Sequence, residues 1–229
     1  YEGTPYDLSK TLAGGPFESP VYYRANKDQL PEGLKSVYWE RNISVYRASY
    51  TFVSQSRSWL PDPIGGVLWF SEDMASTSVY MPIYCGVTSV PKAYSEGKRH
   101  VFDRSSAWWA FNFVSNWANL KYNYMIKDIN AEQNRIEDAL FSGQKSVEEK
   151  AQELYKQSPK KAAEYLTKYC SENMDKIATD WWKLSEHLIG KYCDGYVMTE
   201  EGDQENAGLS ESWLKAVNYG ATSNPDDPK

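Results

Sequence analysis

Histidine and cysteine are scarce in this chain of 229 residues, which holds two His and three Cys. His100 and His187 are far apart, and HExxH, CxxC and paired histidines at ligand spacing are all missing. A zinc or other transition-metal centre is therefore not expected. Phosphate-cradling and dinucleotide glycine motifs are missing too, and Gly65-Gly66 reads as a turn. The odd count and wide spacing of Cys85, Cys170 and Cys193 exclude a disulfide framework and a four-thiolate zinc site. No apolar run approaches the roughly 20 residues that a membrane span needs. Clustered positive charge is lacking as well: 25 Lys and Arg are dispersed among 31 Asp and Glu, for a net charge of -6. Phosphate binding requires local basic clusters, so nucleic acid is not an expected partner.

What the chain has in quantity is aromatic surface, nine Trp and eighteen Tyr, within 41% hydrophobic residues and a mean hydropathy of -0.67. Such side chains fill cores and also stack on sugars or peptides, so a non-catalytic binding module for those ligands is one functional class to weigh. Exposed tryptophans would support it.

Along the sequence, residues 1–41 carry Gly3, Pro5, Gly14, Gly15, Pro16, Pro20, Pro31 and Gly33 and read as an extended arm. Residues 42–102 read as an antiparallel β portion. Asn42 to Arg57 is rich in β-branched and aromatic residues, with Tyr46, Ala48, Tyr50 and Phe52 on one face and Arg47, Ser49, Thr51, Gln55 and Arg57 on the other. The polar face implies water or a polar site between layers. After a Pro/Gly turn, Val67–Glu72 and Ser76–Tyr84 form the next two strands around a polar turn at Asp73, and Arg99 to Phe102 is a short fourth candidate.

Residues 103–195 read as helical. The first helix, capped at Asp103 or Ser105, is apolar around most of its circumference except for a stripe of Asn112, Asn116, Asn119 and Asn123. That stripe is either a thin solvent seam or a buried amide network beside the β layer. A second helix is expected to stop at Gly143, a third to start from a capping box at Ser146–Glu149, and a fourth from Ser158-Pro159. The fourth presents Leu166, Cys170, Ile177, Trp181, Leu184 and Leu188 as one apolar stripe. Residues 196–229 read as an acidic loop and C-terminal tail, with an amphipathic turn at Trp213, Leu214 and Val217. Strands followed by helices argue for an α+β fold, and no internal repeat is visible.

Candidate chemistry is sparse. Cys85 is the sole thiol of the β portion, but a catalytic thiol needs a base, and neither histidine has a sequence-level claim to stand beside it. Cys170 and Cys193 read as structural. Arg57, just before the Pro/Gly turn, is placed to clamp a substrate carboxylate or stabilise an oxyanion, with Arg47 a second candidate on the same face. The alternative is an ion pair of structural use with an acid such as Asp62 or Glu72.

Several stretches taken in order resemble bacterial dipeptidases of the cysteine N-terminal-nucleophile (Ntn) hydrolase class. They are Tyr1 to Asp7, Ala13 to Phe17, Ile43 through Arg57 to Pro61, Gly66 to Phe70, Ser78 to Tyr84, Ser106 to Asn116 and Trp213 to Val217. The resemblance implies an αββα sandwich with an active site between its sheets at one end, and a nucleophilic N-terminal cysteine whose own α-amine is the base. It implies a dipeptide substrate and no metal or organic cofactor. The motifs present are those of the C-terminal part, and residue 1 is Tyr, not Met, with no basic-then-apolar leader following it. The expectation is therefore a chain that lacks the nucleophile, is inactive alone, and needs the N-terminal half of the same protein. Arg57, with Arg47 behind it, is the carried-over candidate for cleft support. The long helices and acidic tail offer surfaces for a homo-oligomer.

Overall fold

The computed structural model of the chain describes residues 4, 6–21, 27–35 and 43–220. Its sheet comes from the β-branched and aromatic runs. β1 (Tyr50–Ser56) pairs antiparallel with β2 (Gly66–Glu72), and β2 with β3 (Met81–Tyr84), in the order β1-β2-β3. The first strand is shorter than its composition suggested. Ala48 N–H bonds to Val45 O at 3.0 Å, so the chain turns before it joins the sheet, and Asn42 lies outside the described residues. A one-turn helix α1 (Asp62–Gly65), with Pro at its start, links β1 to β2. Ala75–Thr77 is a 3-10 turn, so β3 begins later than Ser76, and the Arg99–Phe102 candidate reduces to a single bridge between Lys98 and Val101.

Three long helices follow. They are α2 (Ala107–Ala118), α3 (Tyr122–Gln157) and α4 (Pro159–Lys191), with Ser158 and Pro159 starting α4 as the sequence indicated. The expected break at Gly143 does not occur. Ile136, Leu140, Val147 and Ala151 are buried on either side of it, and a continuous packed stripe outweighs the ~1 kcal/mol that a mid-helix glycine costs. Ser146, expected as a cap, instead bonds back to Gly143 O at 2.9 Å. The α4 stripe from Leu166 to Leu188 is buried throughout, and Trp181 stacks on Phe111 of α2 with centroids 5.2 Å apart. The acidic stretch after α4 is not all loop: β4 (Tyr196–Met198) and β5 (Gln204–Asn206) form a small hairpin, and α5 (Glu211–Ala216) is capped by Ser210. Ser210 N–H reaches Pro16 O at 3.0 Å, tying the start of the chain to this helix. The fold is α+β, as expected.

The two faces of the sheet differ, and this positions the site. Odd positions of β1 and β2 face the helices: Gln55 Oε1 accepts from Trp69 Nε1 (3.3 Å) and from Gln144 Nε2 of α3 (3.1 Å), and Trp69 packs on Phe141. The even face is open over β1. Tyr50 and Phe52 are 57% and 53% exposed, and Tyr50 stacks on Phe52 (6.3 Å) and on Phe70 (5.8 Å). On the polar face Thr51 and Gln55 are partly covered while Val53 between them is 57% exposed, and the aromatic face meets solvent.

Candidate active-site region

Arg57 ends β1 next to the turn that α1 completes. Its Nη1 meets Glu148 of α3 at 2.6 Å, Nη2 donates to Ile64 O at 3.1 Å and Nε to Gly65 O at 3.3 Å. Both side chains of the pair are 10% exposed. Glu148 also accepts from Tyr84 Oη (3.1 Å) and Gln144 Nε2 (2.9 Å), so its oxygens are filled from β3 and α3 as well. Burial, with the Glu148 charge second, raises the Tyr84 phenol well above its ordinary range. The acid paired with Arg57 is therefore neither Asp62 nor Glu72, and its guanidinium clamps the β1–α1 turn onto α3. Arg47 is exposed in the turn before β1, with no ion pair among the described residues. The structure does not bring the two arginines together: they stand at opposite ends of β1.

The end of the sheet near Arg47 carries an acid pair that the sequence reading passed over as a polar turn. Asp73 N–H bonds to Ser49 O at 2.9 Å, and Asp73 adopts φ 57°, which turns its side chain toward α2. There its carboxylate accepts from Ser115 Oγ (2.6 Å) and Asn112 Nδ2 (3.0 Å). Burial raises the Asp73 pKa, opposed by these two bonds, by the Met74 N–H and by the Arg99 charge. Glu72, opposite Tyr50 in the register, is 7% exposed and has no hydrogen-bond partner among the described residues. Burial, reinforced by the Asp73 charge, pushes its carboxyl up to about 7. The available signals were adjacent acids at a strand end and the amide stripe on α2. The stripe divides in use. Asn112 holds Asp73, Asn119 joins Ser19 Oγ at 2.9 Å, Asn116 bonds to Asn112 O at 2.7 Å at the surface, and Asn123 Oδ1 is buried without a partner.

The thiols are separate from both ends. Cys85 is exposed just after β3 and makes no hydrogen bond through sulfur among the described residues. Cys170 is buried on the α4 stripe, and burial pushes its thiol up to about 11. Cys193 is half-buried beyond α4. His187 lies 3.9 Å from Asp128 on the helical hairpin, beside an open groove of about 440 Å³. The charges of that groove satisfy one another: Arg135 pairs with Glu132 (2.6 Å) and Asp180 (3.0 Å). Among the described residues no group of three His, Cys, Asp or Glu is placed to hold a metal ion, and no helix is long and apolar enough to cross a membrane. Trp181 is fully buried, and Trp108, Trp109, Trp117 and Trp182 are half-buried, packed with Phe102 and Phe113. Five of the nine Trp thus pack around the α2–α4 contact, whereas Trp59 is 76% exposed.

Comparison with known families matches residues 1–135 to the model of peptidase family C69. The match spans the arm, the sheet, α2 and the first part of α3, and so includes Arg57, Glu72, Asp73 and Asn112. No curated protein sequence matches the chain.

Proposed function

Because the chain belongs to peptidase family C69, a family of cysteine peptidases, we propose that it is the C-terminal portion of a bacterial dipeptidase of the cysteine Ntn class. The state of the three thiols carries this reading. A cysteine peptidase needs a thiolate with a base in reach; Cys170 is buried with a raised pKa, and neither Cys85 nor Cys193 has a hydrogen-bonded base among the described residues. The nucleophile is then supplied from outside these 229 residues, as a terminal cysteine whose α-amine, of ordinary pKa near ~8, takes the thiol proton. The thiolate adds to the dipeptide carbonyl, the leaving amine departs with a proton, and water hydrolyses the thioester to a second free amino acid.

In this reading Arg57 serves the cleft from behind, by fixing the β1–α1 turn, while Arg47 is the cation available to a substrate carboxylate. The test compares the full-length gene product with this chain, by intact mass and by dipeptide hydrolysis under reducing conditions. The full-length protein is expected to begin with a processed cysteine and to release free amino acids, and this chain to release none. Hydrolysis by this chain alone, or a full-length protein without a terminal cysteine, overturns the proposal.

A further inference from the structure

A buried carboxyl with no partner is costly, and in a native protein it asks for an explanation. Glu72 approaches this case: 93% of the residue's surface is shut away, its carboxylate oxygens keep a narrow contact with solvent, and among the described residues they receive no hydrogen bond, whereas its neighbour Asp73 receives two from α2 side chains. Strand alternation puts Glu72 on the same face as Phe70 and, across the ladder, beside Tyr50 and Phe52. This is the face left open over β1. Tyr94 closes the other side, but its hydroxyl is directed to Met174 O at 2.9 Å and offers Glu72 nothing.

An unpaired carboxyl at the margin of a wall of three aromatic rings is a receptor for a cation with apolar shoulders. The carboxylate supplies the charge, which burial strengthens, and the ring faces add cation–π attraction. Metal ions fit poorly, because Glu72 would be joined only by Asp73, whose two oxygens already accept from Asn112 and Ser115, and no group of three His, Cys, Asp or Glu among the described residues is placed to hold one. An α-ammonium flanked by an amino-acid side chain fits well. Resting on the dipeptidase reading above, we propose that Glu72 binds the free α-ammonium group of the substrate, with Tyr50 and Phe70 flanking it, and so selects peptides with an unblocked amino terminus. Glu72 is then a specificity residue, and Arg47, in the turn that leads into β1, stands at the same sheet end for the opposite charge of the zwitterion.

The experiment uses the full-length protein and its Glu72→Gln and Glu72→Asp variants. KM for a free dipeptide is expected to rise about 10- to 100-fold in Glu72→Gln, the loss of one charge-assisted contact. The preference for the free over the N-acetylated dipeptide is expected to collapse with it, and Glu72→Asp to recover part of both. A structural role would leave that preference untouched. Wild-type KM and wild-type preference in Glu72→Gln overturn the proposal. Calorimetry with a ketomethylene isostere of a dipeptide, free and N-acetylated, separates the two readings. If no dipeptide is hydrolysed but the free isostere binds wild type and not Glu72→Gln, the dipeptidase reading fails and the ammonium site stands. If the isostere does not bind wild type, the ammonium site fails.

Discussion

Replacing Arg57 by Met tests whether this residue is a clamp or a substrate ligand. The side chain loses its ion pair with Glu148 and its bonds to Ile64 O and Gly65 O, at a site where both charges are 10% exposed. Removing one member of a buried pair costs about 3–5 kcal/mol, because the other charge is left without its counterion. Here the lower end applies: Glu148 keeps Tyr84 Oη and Gln144, and Gly65 O keeps the Arg57 backbone N–H at 3.1 Å. A loss of about 3 kcal/mol corresponds to a fall in Tm of roughly 6–12 °C for a chain of this size. The assay is urea and thermal unfolding of this chain, followed by tryptophan fluorescence and circular dichroism. Glu148→Gln is expected to cost a similar amount, and the double variant Arg57→Met/Glu148→Gln about 1–3 kcal/mol less than the sum. A stability change within 1 kcal/mol of the parent, or simple additivity of the pair, refutes the clamp.

Two further outcomes follow from the same geometry. Glu72 carries its proton to about pH 7 when folded, against an ordinary glutamate value of 4.5, so between these the native state binds the extra proton and stability falls as pH rises, levelling above pH 7. The groups around it, Asp73, Tyr94 and, through them, Arg99 and Asp175, are unchanged in Glu72→Gln. That variant is expected to match the parent near pH 4.5 and to exceed it by about 2–3 kcal/mol at pH 8, measured by urea unfolding; a gap that is constant across pH refutes the assignment. With a thiol reagent at pH 7.5, Cys85 is expected to label rapidly in the folded chain and Cys170 only on unfolding, read by peptide mass; early labelling of Cys170 contradicts its burial.

The sequence made legible whatever depends on local chemistry. The β2 run, the Ser158-Pro159 start of α4 and the apolar stripe from Leu166 to Leu188 all stand where pattern and capping put them. Gly143 misled because propensity is weighed against packing, and packing against both halves of α3 is invisible in a local window. The strand from Asn42 misled because composition does not reveal where pairing with β2 stops. At the site, Arg57 was legible as a residue of consequence, but its partner was not: Glu148 lies 91 residues away and on an element assigned to a capping box. Asp73 read as a turn residue and Glu72 as a strand end and possible partner for Arg57, because an acid's burial is a property of the tertiary fold.

The two ends of the sheet do different work, and the family boundary helps to say why. The end near Arg57 is saturated. Its charges and amides close on one another through Gln55, Gln144 and Glu148, and two of these three lie beyond residue 135, where the family match ends. Residues outside the match thus hold a turn within it, and α3 packs as one unit with the sheet. Among the described residues the opposite end keeps an acid without a hydrogen bond, an arginine without an ion pair and exposed aromatic rings, all within the matched segment. Binding energy for a substrate must come from groups not already spent on the protein itself. By that criterion the substrate site proposed above belongs at the Glu72 end and not at the Arg57 end.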